Sequence, residues 1–159
     1  MHNFKQYLEE VRDTPLYHAE KVKDAVDVIK TNMIDGVELS NENKWSLDKG
    51  NKPEKVVPLS RSFNSIKKSG YVVFEFDQRK LTQYNKVLTF NFTRDKTDRK
   101  SMAHKKRYGS YEEYVSDDIR DIDSSVSKIH MQRDEKLKNT YPELKNHPKL
   151  YIDGKFVNA

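Results

Sequence analysis

Residues 56–77, VVPLSRSFNSIKKSGYVVFEFD, are the stretch on which the fold turns. The apolar run Val56, Val57, Leu59 leads into Ser60-Arg61-Ser62, and a second run, Tyr71–Phe76, follows Ser69-Gly70. Runs rich in β-branched and aromatic residues, bounded by turn residues, read as strands. The segment is therefore expected to be strand, polar turn, strand, with the pair forming the core. Glu75 alone interrupts the second run, a pattern that suits a strand covered on both faces. Everything else is expected to pack around this pair as a small α+β domain.

Outward from that core, Leu16, Tyr17, His18 and Ala19 follow the turn signal Asp13-Thr14-Pro15 and read as a short strand. A helix is expected over 20–33, because Val22, Ala25, Val26, Ile29 and Met33 form one stripe at i, i+3, i+4, i+7 and i+11. Asp35-Gly36 is expected to end it. Residues 87–92, VLTFNF, alternate with period two, Val126–Met131 reads as a further strand, and residues 150–157 suggest a hairpin around Asp153-Gly154. Residues 38–55 and 93–107 read as long polar loops. Trp45, in the first, either stacks on a ligand or tucks the loop onto the core.

The chain has 159 residues, 30 Lys+Arg against 25 Asp+Glu, and no cysteine. That length suits one domain. The missing cysteines exclude disulfides, thiolate nucleophiles and Cys-ligated zinc, and point to a reducing compartment. Five histidines are present without metal-ligand spacing, and HExxH, Walker and GxGxxG motifs are absent, so no metal is expected. There is no apolar run near the roughly 20 residues of a membrane span and no apolar stretch of the signal-peptide kind in residues 1–10, so no membrane contact is expected. A monomer is expected. The mildly basic balance permits an acidic partner and is equally explained by a mixed solvated surface. Residues 93–107 are a candidate DNA contact: they offer phosphate neutralisation, without interleaved aromatics for base stacking.

Chemistry-bearing residues stand at three strand ends: His18, then Ser60 and Ser62, then Glu112-Glu113. Each alone is ordinary, since serines make turn bonds and paired glutamates usually face solvent. In order and spacing they resemble the ADP-ribosyltransferase fold, which has His or Arg on its first strand, a Ser-Thr-Ser-like strand next, and Glu before an apolar strand. Tyr17-His18, Leu59-Ser60-Arg61-Ser62 and Glu112-Glu113-Tyr114-Val115 carry the likeness, over residues 14–131. It implies small twisted, mostly antiparallel sheets around a cleft, with one main N-terminal helix, over a domain of residues 11–131. Residues 132–159 would then be an extension packing on it.

The resemblance also implies NAD as substrate. His18 would bind the nicotinamide ribose hydroxyls, Ser60 or Ser62 would steady the strand beneath nicotinamide, and Tyr71 would stack on the ring. Arg61 would pair with the pyrophosphate. Glu112 or Glu113 would hold the ribose 2′-hydroxyl and face the positive charge that develops on the ribose, where a fixed carboxylate counts most. Alternation puts the two glutamates on opposite faces. The preference falls on Glu113, because the family's Glu directly precedes its apolar residues. Two departures stand out: Arg61 replaces the family's Thr, and Ser110 or Tyr111 stands where an upstream Glu/Gln is usual. The second departure questions transfer to arginine.

Residues 1–10, MHNFKQYLEE, put Phe4 and Leu8 at helical spacing with the following Val11 and read either as a short amphipathic helix or as a signal. They resemble the capsid-targeting peptide of internal head proteins in large contractile-tailed phages, where a maturation protease cuts after Leu/Ile-x-Glu, here Leu8-Glu9-Glu10. That likeness implies packaging in the phage head interior and delivery with the DNA into the host cytoplasm. The two resemblances together imply transfer of ADP-ribose to a host protein or nucleic acid. The alternative is a non-catalytic head protein that binds DNA or inhibits a host defence enzyme.

Overall fold

The computed structural model describes residues 14–38, 55–89, 113–133 and 139–158. The expected targeting segment 1–10, with Leu8 and Glu10, lies outside the described residues, as do Trp45, residues 90–107 and Glu112.

In chain order the elements are β1 (Leu16–Lys21), α1 (Val22–Thr31), β2 (Met33–Ile34), β3 (Val37–Glu38), β4 (Lys55–Leu59) and α2 (Phe63–Ile66). They continue as β5 (Tyr71–Phe76), α3 (Gln78–Leu81), β6 (Val87–Thr89), β7 (Glu113–Ser116), β8 (Ile119–Arg120) and α4 (Ile122–Ser125). The chain closes with β9 (Val126–Met131), α5 (Pro142–Lys145), β10 (Leu150–Ile152) and β11 (Lys155–Phe156). The fold is α+β, and among the described residues α1 is the one helix longer than four residues. One sheet has the order β1-β5-β9-β10-β11, a second β3-β4-β7-β6, and β2 pairs with β8. Among the described residues all strand pairings are antiparallel except β9 with β10.

β5 is an interior strand of the five-stranded sheet, as its apolar run predicts: Phe74 sits between His18 of β1 and Ile129 of β9. Phe74 and Phe76 are fully buried, in one cluster with Leu16, Val28, Ile129 and Leu150. The strand before it does not pair with it. β4 joins β3 and β7 in the other sheet, and the expected turn between β4 and β5 contains α2, capped by Ser62, whose Oγ accepts from the Ser65 N–H at 3.3 Å. A side-chain cap makes a short helix competitive with a plain turn.

The main helix begins later and ends earlier than its stripe predicts. Glu20 and Lys21 are held in β1 by pairing with Val72 and Tyr71. At the other end Asn32 takes the left-handed conformation, φ 56°, and its N–H donates to the Val28 carbonyl. Met33 therefore belongs to β2, and Val28 is buried while Ile29 is only partly so. The expected C-terminal hairpin is present, with Asp153 and Gly154 both at positive φ as a two-residue turn requires.

Candidate functional site

Three strands build the site at the seam between the two large sheets. β4 runs antiparallel to β7 with Leu59 opposite Glu113. Its end meets β1 at an isolated bridge, where Tyr17 and Ser60 exchange backbone hydrogen bonds of 2.8 and 2.9 Å. Extending that antiparallel register by one residue sets His18 across from Leu59. His18 and Glu113 thus flank one buried leucine from two neighbouring strands.

Each side chain has protein partners. His18, 7% exposed, donates from Nδ1 to the Pro58 carbonyl at 2.8 Å, so the imidazole spans the seam between the sheets. Its Nε2 lies 2.7 Å from Glu20 Oε1. Glu113, 8% exposed, is clasped by Arg61: Nε donates to Oε1 and Nη2 to Oε2, the latter at 3.1 Å. This two-point guanidinium–carboxylate pair is a strong and directional one. The third Arg61 nitrogen, Nη1, donates to Gln78 Oε1 at 3.1 Å. Gln78 opens α3, whose N-cap Asp77 accepts from Arg79 and Lys80 backbone N–H groups. Ser60 Oγ accepts from the Ser62 N–H at 3.0 Å and donates to the Ser62 carbonyl at 3.3 Å, which shapes the turn between β4 and α2.

His18, Ser60, Arg61, Ser62 and Glu113 are thereby gathered around the end of β4. Tyr71 is not among them. It pairs with Lys21 at the far end of β1, and alternation from Phe74 places it on the sheet face opposite His18. Two participants went unread in the sequence. Glu20 shares a strand face with His18 at i+2, a signal open only to a reading that extends β1 to Lys21. Gln78 has no local signal; it reaches the site because β5 ends beside β4's turn. The chain matches no protein-family model, no curated protein and no solved structure.

Proposed function

We propose that the chain is an ADP-ribosyltransferase-like protein of a large contractile-tailed phage, packaged in the head and delivered with the DNA. In this reading it transfers ADP-ribose from NAD to a host protein or nucleic acid, with Glu113 as its catalytic carboxylate. One observation carries the reading: three short motifs far apart in the chain, at 18, 60–62 and 113, converge on the end of one strand, with His18 and Glu113 on either side of Leu59.

NAD supplies the ADP-ribosyl group, with nicotinamide as the leaving group. The residues present fit it in charge and setting, since Glu113 is a carboxylate nine-tenths removed from water beside a cationic partner. Glu113 holds a ribose hydroxyl and opposes the charge that grows on the ribose, an electrostatic role worth most in a dry site. For that role Arg61 turns from Glu113 to a phosphate oxygen, a partner a guanidinium fork accepts equally well. His18 contributes its imidazole edge at the ribose, and Ser60 fixes the backbone beneath. Tyr71, on the other face, has no part in this arrangement.

Nicotinamide release from NAD, with and without host lysate, is the test. Wild type should release nicotinamide, Glu113→Gln should lose at least a hundredfold of that rate, in line with removing one transition-state electrostatic partner, and Glu112→Gln should not. The second reading, a non-catalytic head protein, is favoured by a specific observation: the His18 nitrogens, both Glu113 oxygens and the Ser60 hydroxyl all have intramolecular partners. Absence of release together with no NAD-dependent rise in melting temperature would select it. The packaging half of the proposal rests on residues 1–10. Incubation with the phage maturation protease should remove ten residues by intact mass, and a chain left whole would sink that half alone.

A further inference from the structure

The face of the five-stranded sheet turned away from His18 carries a row of partly exposed rings. Alternation places Tyr17, Glu75, His130 and Tyr151 on it. Phe63 of α2 leans over the row, its ring centre 4.6 Å from that of His130 and 5.7 Å from that of Tyr17. The row continues from His130 to Tyr151 at 5.2 Å and from Tyr151 to Phe156 at 5.1 Å. A cavity of about 300 Å³ opens among Phe63, Tyr71, Val73, His130 and Tyr151.

The charges around this row are arranged for an anion with a flat, apolar part. Glu75, on the floor, accepts from His130 Nε2 at 2.9 Å and from Ser127 Oγ at 3.1 Å, and Lys128 Nζ lies 3.9 Å away. Burial alone would raise the Glu75 pKa, but these partners together hold it below its ordinary value. The floor carboxylate is thus already compensated. At the rim each of three lysines stands beside a ring: Lys67 Nζ is 5.8 Å from the Phe63 centre, Lys68 5.7 Å from Tyr71, and Lys128 4.6 Å from Tyr151. The opposing rim carboxylate, Asp153, has Arg133 at 3.6 Å.

We infer that this face binds single-stranded nucleic acid. One base enters the cavity against His130, a neighbour stacks on Tyr151 and Phe156, and Lys67, Lys68 and Lys128 take the phosphates. Rings presented across a sheet give a stacking platform that tolerates any base, and adjacent cations neutralise the backbone. A cavity at the small end of ligand sites admits one nucleotide and little more. The row, however, runs past the cavity to Phe156, which is 44% exposed on the edge strand, and that continuation favours a strand over a free nucleotide. The inference rests on the sheet face opposite His18 and is independent of NAD turnover.

The test is fluorescence anisotropy with labelled 12-nucleotide DNA and RNA single strands at 50 and 200 mM salt, with AMP as competitor and melting curves for every variant. Binding should weaken about twentyfold between the two salt concentrations if three phosphates are neutralised. Tyr151→Ala should weaken it roughly ten- to hundredfold, as loss of one stacking ring does, and the pair Lys67→Glu, Lys68→Glu should weaken it further and flatten the salt response. If Tyr151→Ala melts early, Phe156→Ala on the exposed edge reads the same stacking with the core untouched. No saturable binding at 50 mM salt, AMP competing as well as an unlabelled strand, or full affinity in a folded ring variant would each overturn the inference.

Discussion

Arg61 is the residue on which the candidate site leans for stability. Its guanidinium is the two-point partner of a carboxylate that is 8% exposed, so truncating it strands a buried charge. Breaking such a pair from one side typically costs about 3–5 kcal/mol, whereas replacing both members with apolar residues of similar size is often nearly neutral. Arg61→Ala should therefore lower the urea unfolding free energy by about that amount, and Arg61→Met with Glu113→Leu should recover most of it. If the single variant unfolds with the wild type, the pair is not held in solution as it is in the structure. His147 offers a second test at this scale. Its Nδ1 accepts from the Lys149 N–H at 3.0 Å, a bond the protonated ring cannot accept. Burial lowers its pKa below the ordinary 6.5, with Lys149 adding to the effect and Asp123 opposing it. The unfolded chain then binds the proton first. Stability contributed by this group is complete above about pH 6.5, falls as pH drops through the unfolded value and levels off below the folded one. His147→Gln should flatten the slope of unfolding free energy against pH in that window. An unchanged slope would assign the acid sensitivity elsewhere.

The elements show which parts of the fold a local reading can reach. β5, β9 and the β10–β11 hairpin are written in their own residues: a dense apolar run, an alternating run, and Asp-Gly between strands. Partners are not local. β4 and β5 adjoin in sequence, yet one joins β7 and the other β1 and β9, because each strand gains more from long-range pairing than from a hairpin with its neighbour. The same competition moved the start of α1, since Glu20 and Lys21 have helical propensity but are claimed by β5. At the site, His18, Ser60 and Glu113 were legible as a set only through a family likeness, while Glu20 and Gln78 depend on where strands end in space. The ring row was not legible at all, since Phe63, His130, Tyr151 and Phe156 come from separate elements. The stop of α1 at Asn32 is a cap of the same long-range kind. Asn32 Nδ2 donates to Asp121 Oδ1 at 3.0 Å, and its Oδ1 accepts from the Asp123 N–H at 2.9 Å. Asn32→Ala keeps a Cβ in the left-handed region, where strain is about 1–2 kcal/mol, and loses both bonds. Asn32→Gly relieves the strain and loses only the bonds. The alanine variant should melt lower than the glycine variant. The reverse order would mean that helix propensity, not the turn to α4, sets this boundary.

On the scale of the whole molecule, the question is whether the C-terminal residues decorate the domain or complete it. The sequence suggests a domain over 11–131 with an extension behind it, and the packing shows how much that extension carries. Leu144 and Leu150 are fully buried, Ile152 is 7% exposed, and all three belong to the cluster that holds Phe74 and Ile129. β10 pairs with β9, and the Ile129 N–H donates to the Lys149 carbonyl at 2.9 Å, so the extension supplies the outer partner of a central strand. The surface pair between Lys30 and Glu143, 3.5 Å apart and well exposed, adds little beside this. Emptying one buried leucine or isoleucine site costs about 2–5 kcal/mol. Three such losses together rival the 5–15 kcal/mol that holds a typical domain folded. A chain ending at Arg133 should accordingly show no cooperative melting transition by circular dichroism and should expose apolar surface to a dye at 25 °C. A truncated chain that melts sharply within a few degrees of the full one would show the opposite: that the two sheets and α1 form a self-sufficient core, on which β10 and β11 merely rest.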